Sequence, residues 1–324
     1  MAAATRPGHL ERTAEEPRDE RLHEVRLSRV EQVNERIRLF RLELQSGQAA
    51  KFMPGQWLDT YVPGIAKAGG FTITSVPSSG GAAGKAADAE PPPPPYFELA
   101  VQESPDNEVA AWLWRAPEEI VGALLRVRIG GSFVFPPLAA PTEASSSVRQ
   151  HGQQQWNIGT VRNVFFVAGG VGINPLVSML GALAETSQPP GGDRDAPHVY
   201  VLYATKMPAS GNLSHVLFLE RVARWFDEGR LRGLLRVYVT DGRGGARLPP
   251  EGACTLHGAQ VEIRHGRIVE GQVRAMVGSQ DPGTSLVYVC GPPTMTDQMV
   301  ASLTSRAEGS PIIDPGLVLT EKWW

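Results

Sequence analysis

Cysteine is nearly absent: among 324 residues there are two, Cys254 and Cys290. A disulfide framework therefore cannot organise the fold, and a reducing compartment suits such a chain. Two thiols also fall short of the four that hold an iron–sulfur cluster, so any such cluster sits on another protein. Basic blocks are missing as well. The 31 Lys and Arg are balanced by 34 Asp and Glu, for a net charge of −3, which argues against a nucleic-acid partner. The seven histidines fall at no metal-ligand spacing, and no metal site is expected. No uninterrupted apolar run has the length of a membrane span. Residues 164–184 come nearest, but Gly169, Gly170, Gly172, Asn174 and Pro175 break them into a buried strand, a turn and a helix. No transmembrane segment is expected. Ser210, Ser214 and His215 lie close in sequence without a nucleophile elbow around them, so no hydrolase triad is expected.

What is present is globular: 42% hydrophobic and 20% charged residues, in a chain long enough for two domains. Residues 1–23 are polar and carry Glu11, Glu15, Glu16, Asp19 and Glu20, acids that a mitochondrial transit peptide avoids. They are expected to form a disordered tail. Residues 78–95 are rich in Gly and Ala and end in the run Pro91 to Pro95, which reads as an exposed insertion. Residues 138–155 read as a linker, and residues 188–196 as a smaller insertion. The expected plan is therefore a first domain over 24–137 and a second over 156–324.

The two domains differ in style. In the first, strands are expected over 24–33, 37–44, 57–62, 71–75, 97–102 and 124–129, with one helix over 108–115. This pattern predicts a small antiparallel β-barrel. In the second, strands over 164–168, 199–204, 235–240 and 286–290 alternate with helices over 175–185, 213–226, 269–277 and 294–305. Apolar strands between helices predict an α/β doubly wound parallel sheet. In such sheets a ligand binds beyond the carboxyl ends of the strands.

Two segments occupy such strand ends. Ala168-Gly169-Gly170-Val171-Gly172-Ile173-Asn174-Pro175 follows a buried strand and opens a helix. Glycine lets the backbone turn and approach a ligand, and a helix start offers N–H groups and a positive dipole end to a pyrophosphate. Asn174 is suited to capping and Pro175 to the first turn. The alternative is a glycine-rich turn without a ligand. Val289-Cys290-Gly291-Pro292-Pro293-Thr294-Met295 occupies the second strand end. Taken alone, Cys290 reads as a buried structural thiol.

Together, in this order, the two segments resemble the Gly-Gly-x-Gly-Ile-x-Pro loop and the Cys-Gly-Pro-Pro-x-Met signature of the ferredoxin–NADP reductase superfamily. The resemblance covers the chain from about Glu24 onward and implies a soluble NAD(P)H-dependent flavoenzyme. Its barrel would hold FAD, its α/β domain NAD or NADP, and a hydride would pass from the nicotinamide to the flavin. Electrons would then leave to an unidentified acceptor, such as a quinone or a redox protein. By this resemblance Gly169, Gly170, Val171, Gly172, Ile173, Asn174 and Pro175 hold the nicotinamide nucleotide with Gly291 and Pro292, and Cys290 lies at the hydride-transfer contact. Family members carry Thr or Ser where Asn174 stands. The resemblance points to mitochondria; the amino-terminal residues add no transit signal, and the cytoplasm is the alternative.

In the barrel, Gly69-Gly70-Phe71-Thr72-Ile73-Thr74-Ser75 aligns with the family's flavin-binding Arg-x-Tyr-Ser-x-x-Ser. By this alignment Phe71 stacks on the isoalloxazine or ribityl chain, Thr72 hydrogen-bonds near flavin N5 as a catalytic residue, and Ile73 and Thr74 line the site. Gly130 and Gly131 match a glycine turn at the flavin site's end. The family's arginine for the FAD pyrophosphate falls on Gly69. Its Gly-x-x-Ser phosphate motif falls on Asn107 to Ala110, so a charge pair and a hydroxyl contact are lost, at a cost of roughly ten- to a hundredfold in affinity. The helix start near Val109 could still offer N–H groups to a phosphate. Trp323 and Trp324 are expected to cover the flavin ring or to dock on the domain interface. Lys206 and Arg243 could meet a 2′-phosphate or stand as solvated surface cations, and no acid is placed for a ribose 2′-OH, so the sequence does not separate NADH from NADPH and leans only slightly to tolerance of NADPH. The competing reading is a nucleotide-binding module of the same fold with weak or lost flavin binding and little catalysis.

Overall fold

A computed structural model describes residues 8–45, 48–80, 94–138, 160–186, 196–241, 247–305 and 312–322. The first half is an antiparallel six-stranded sheet: β1 His23–Asn34, β2 Ile37–Leu44, β3 Trp57–Tyr61, β4 Gly69–Thr72, β5 Tyr96–Gln102 and β6 Leu124–Gly130. Its order is β4-β3-β6-β1-β2-β5. An antiparallel bridge from Ile73 to Leu99, continued by Thr74 N–H on Glu98 O at 2.8 Å, closes it into a barrel. Alternation builds the interior: Val25 and Leu27 of β1 and Phe40, Leu42 and Leu44 of β2 face inward, while Glu24 and Arg26 face water. A short helix α2, Glu108–Leu113, packs Val109, Ala110 and Leu113 into the barrel core. A further turn of helix, α3 Pro117–Ile120, follows it.

The amino-terminal expectation needs correction. From Gly8 onward the chain is an ordered arm, with a one-turn helix α1 His9–Arg12. Arg18 bridges to Gly130 in antiparallel fashion. The fully buried carboxylate of Asp59 on β3 receives His9 Nε2 at 2.9 Å, Arg18 Nε at 3.0 Å and Arg128 Nη2 at 2.7 Å. Burial acts to raise this carboxyl, and hydrogen bonds from His9, Arg128 and Arg18 outweigh it and hold it below the usual carboxylate range. Two of the bases that made these residues look like a solvated tail, His9 and Arg18, instead pair with this buried charge, and the acid Glu16 bonds to Ser132.

The second half is a seven-stranded sheet: β7 Asn163–Gly169, β8 His198–Lys206, β9 Gly233–Thr240, β10 Gly252–Leu256, β11 Ala259–His265, β12 Ser285–Gly291 and β13 Val318–Lys322. Its order is β10-β11-β9-β8-β7-β12-β13, parallel throughout except for β10. The helices are α4 Ile173–Thr186, α5 Leu219–Asp227, α6 Glu270–Gly278 and α7 Pro293–Thr304. The helix expected over 213–226 is broken. A single turn over Leu213–His215 is followed by Phe218 at φ +60°, and α5 begins only after it. The β10–β11 hairpin and β13 had no counterpart in the sequence expectations.

The insertion expected over 78–95 and the linker over 138–155 lie mostly outside the described residues, as do Arg243, Trp323 and Trp324. No described helix is long and apolar enough to cross a membrane.

Candidate functional site

The chain moves outward from β7 to β8 and β9, then returns to lay β12 on the other side of β7. The carboxyl ends of β7 and β12 therefore flank the topological switch point, where a crevice forms in such sheets. Both glycine segments are there. A Cβ on Gly172 would lie 2.2 Å from Cys290 O, and one on Gly291 would lie 3.2 Å from Gly169 Cα. The two loops touch backbone to backbone, which only glycine allows. Gly170 differs: its φ is +55°, it is exposed, and a Cβ there would meet nothing within 4 Å. It leaves the turn open at the amino end of α4, the helix whose first turns are buried.

Val171 is half-buried; Ile173 and Pro175 are buried in the first turn of α4. Asn174 does not cap this helix. Its Nδ2 donates to Ala100 O of β5 at 2.9 Å, which joins the two domains, and its Oδ1 is buried without a partner. On the barrel side, the bridge from Ile73 to Leu99 places Thr72 next to Ala100. Thr72 Oγ1 is also buried without a partner. Thr72 and Asn174 thus flank one carbonyl from opposite domains, each with an unsatisfied polar atom. Such atoms are uncommon in native interiors.

The junction is firmly held. Arg221 of α5 reaches Glu98 of β5 with two guanidinium nitrogens, at 2.7 and 2.9 Å. Glu98 Oε1 also accepts from Thr74 Oγ1 at 2.8 Å. Burial acts to raise the Glu98 carboxyl, but Arg221 and Thr74 hold it below its ordinary value. Ser178 Oγ of α4 donates to Ser75 O at 2.7 Å, and Tyr288 OH of β12 to Val134 O at 3.0 Å. Thr74 is therefore committed to Glu98, and Ile73 lies wholly in the barrel core.

Cys290 is fully buried at the end of β12. Its register partner on β13 is Glu321, a residue that sequence reasoning did not single out. Glu321 is half-buried, but its Oε2 is sealed without a partner, and burial together with the nearby Glu16 pushes its carboxyl up to about 8. The pairing of β13 with β12 brings this acid to the site, and a five-residue strand gives too short an alternation to announce it. Pro292 is exposed beside the crevice.

Other expected residues are turned elsewhere. The Phe71 ring is almost fully buried with the barrel core and fills the space beside Gly69, where an added Cβ would meet it at 2.6 Å. Gly130 and Gly131 lie against the Trp57 ring, and Gly131 N–H donates to Pro17 O of the arm at 2.9 Å. The N–H groups of Val109 and Ala110, expected to be open to a phosphate, both donate to Asn107 Oδ1 at 3.1 Å. Lys206 is exposed at the end of β8.

The fit to cofactors follows from these positions. A nicotinamide nucleotide suits the open Gly170 turn, the amino end of α4 and the unpartnered Asn174 Oδ1. A flavin ring suits the unpartnered Thr72 Oγ1. Among the described residues the diphosphate half of FAD finds no fit, because the N–H groups at α2 and at the end of β6 bond to the chain itself. Among the described residues no cluster of metal-ligating side chains occurs.

No family model matches the sequence. The chain is 28% identical over its whole length to "Oxidoreductase NAD-binding domain-containing protein 1" of Bos taurus, covering 88% of that protein. It is 27% identical to the protein of the same name from Danio rerio, with both chains covered completely. Among solved structures, a ferredoxin NADP+ reductase from Neisseria gonorrhoeae with bound FAD and NADP superposes with a TM-score of 0.58 at 13% identity, over 94% of this chain and 100% of the other.

Proposed function

We propose, from a chain with the two-domain fold of ferredoxin–NADP reductases and full-length homologues named as oxidoreductases, that this protein is an NAD(P)H-dependent oxidoreductase. In this reading it passes a hydride from the nicotinamide to a flavin and electrons onward to a separate acceptor, such as a redox protein or a quinone. The observation that carries it is the pair of buried, unpartnered polar atoms, Thr72 Oγ1 and Asn174 Oδ1, facing the same junction from the two domains. Bound there, a flavin supplies an acceptor for two electrons and a proton.

The chain's own residues supply placement. The turn at Gly170 and the amino end of α4 take the nucleotide phosphates. Asn174, bonded through Nδ2 to Ala100 O, leaves its amide oxygen to accept from the carboxamide N–H₂. Thr72 Oγ1 donates to, or accepts from, a ring heteroatom. Cys290 closes the floor of the crevice and keeps water from it, and Glu321, next to Cys290 on β13, holds a proton at neutral pH. The Arg221–Glu98 clamp fixes the separation of the two sides, as close approach of reacting atoms requires.

Stopped-flow mixing of flavin-supplemented protein with NADH and, separately, NADPH tests this. Flavin bleaching well above the rate with free flavin is expected, and Asn174→Ala should slow it roughly ten- to a hundredfold. Bleaching no faster than without protein would sink the reading. The competing reading, a nucleotide-binding module without turnover, draws on the missing diphosphate contacts; it predicts thermal stabilisation by NAD(P)H with no bleaching.

A further inference from the structure

We infer that this barrel takes a flavin by its ring alone and gives no hold to the diphosphate and adenosine half, so that riboflavin, FMN and FAD are equivalent ligands. The inference rests on the flavin reading above and narrows its ligand class. A diphosphate needs cations or free N–H groups. At each described place where the barrel could supply them, the chain has used them itself.

At β4, Gly69 brings no charge, and the volume a side chain would take is filled by the Phe71 ring and Val109 Cβ, which an added Cβ would meet at 2.6 and 2.9 Å. Its neighbour Gly70 faces the His9 ring of the arm, which would lie 2.1 Å from an added Cβ. At α2, a helix of six residues, Asn107 Oδ1 accepts from both Val109 N–H and Ala110 N–H. Ala110 has no hydroxyl and is buried, and the first turn carries the carboxylate of Glu108, which neutralises Lys67 at 2.6 Å. At the end of β6, Gly131 N–H bonds to Pro17 O. Beside it, Ser132 N–H and Oγ both donate to Glu16 Oε2, at 3.1 and 2.6 Å.

Two of these places therefore already hold a carboxylate, Glu108 and Glu16. An incoming diphosphate would meet like charge where it needs donors. The two polar atoms left without partners on either side of Ala100 O, Thr72 Oγ1 and Asn174 Oδ1, are uncharged, and they suit the heteroatoms of a neutral ring. A charge-assisted hydrogen bond to a phosphate is worth roughly ten- to a hundredfold in affinity. With none available at these described places, the phosphate-bearing flavins should gain little over riboflavin.

Calorimetric titration of the full chain with riboflavin, FMN and FAD tests this, with thermal-shift measurements on NADH and NADPH alongside. FAD and FMN should each bind within about fivefold of riboflavin, and FAD affinity should hold steady between about 0.05 and 0.5 M salt. An advantage of FAD or FMN beyond that margin, or an affinity that collapses with salt, overturns the inference. Failure of all three flavins to bind overturns it too; stabilisation by NAD(P)H in that case leaves the nucleotide half of the proposed function standing. Equal binding of the three without any response to NAD(P)H keeps the inference and removes the proposed reduction.

Discussion

Glu321 shows what a single residue's surroundings do to its proton. In an unfolded chain its carboxyl titrates near the ordinary value of about 4.3; in the fold, burial and then Glu16 push it up to about 8. The folded state therefore holds a proton that the unfolded state releases. The stability linked to that proton is complete below about pH 4, is lost as pH rises towards about 8, and stays lost above it. Glu321→Gln should unfold at a higher urea midpoint than the parent, by a margin that widens from pH 5 to pH 8 and is constant above about pH 9. Parallel midpoints across that range would mean that Oε2 is open to water. At this scale the sequence reveals what is missing more readily than what replaces it. Gly69 and Ala110 show in the sequence itself that no charge and no hydroxyl stand at those places. That Asn107 would take the helix N–H groups, and that Asn174 would reach across to Ala100 rather than cap α4, depends on neighbours brought in by the fold.

Between elements, the bond from α5 to β5 is the one most open to test. Arg221 and Glu98 are mutually bidentate and largely withdrawn from water, so each compensates a charge the other would leave stranded. Arg221→Ala should cost on the order of 1–3 kcal/mol in urea unfolding, since about a third of its side chain is exposed and solvent screens the stranded carboxylate, while the double variant Arg221→Met, Glu98→Gln should cost clearly less, since it strands no charge. Equal losses in both would show that packing, not charge, carries the contact. Most elements were legible because apolar residues recur at strand or helix period: β2 runs over Ile37–Leu44, as alternation requires. The exceptions have physical causes. The β10–β11 hairpin lies at the sheet edge, and β10 buries none of its residues fully, so the apolar signal is diluted. The break before α5 comes from Phe218 in a left-handed conformation, which no local residue type signals. Phe218 is buried in the core of the second half, so tertiary packing sets that turn.

At the scale of the whole molecule, the two halves do not keep separate interiors. Ala100, Phe133 and Phe135 of the first half are buried within the core of the second. Both sheets should therefore lose structure in one cooperative step. Hydrogen exchange read along urea unfolding should give coincident midpoints for β1–β2 and β7–β8, and two separated midpoints would show that the halves part first. The two-domain plan and its order were readable from the change of style between alternating and continuous apolar strands. The arm was not, because its charges resemble those of a solvated segment until Asp59 is placed beneath them.

The shared interior also bears on how such a protein could be recombined. Phe133 and Phe135 lie just before the end of the first half, with the cis peptide between Phe135 and Pro136, and Phe133, Phe135 and Phe166 all pack on Tyr288. A chimera joined at the apparent seam near residue 138 would carry those two rings into a foreign sheet without their tyrosine. Any transplant of this barrel has to bring β7 and β12 along with it.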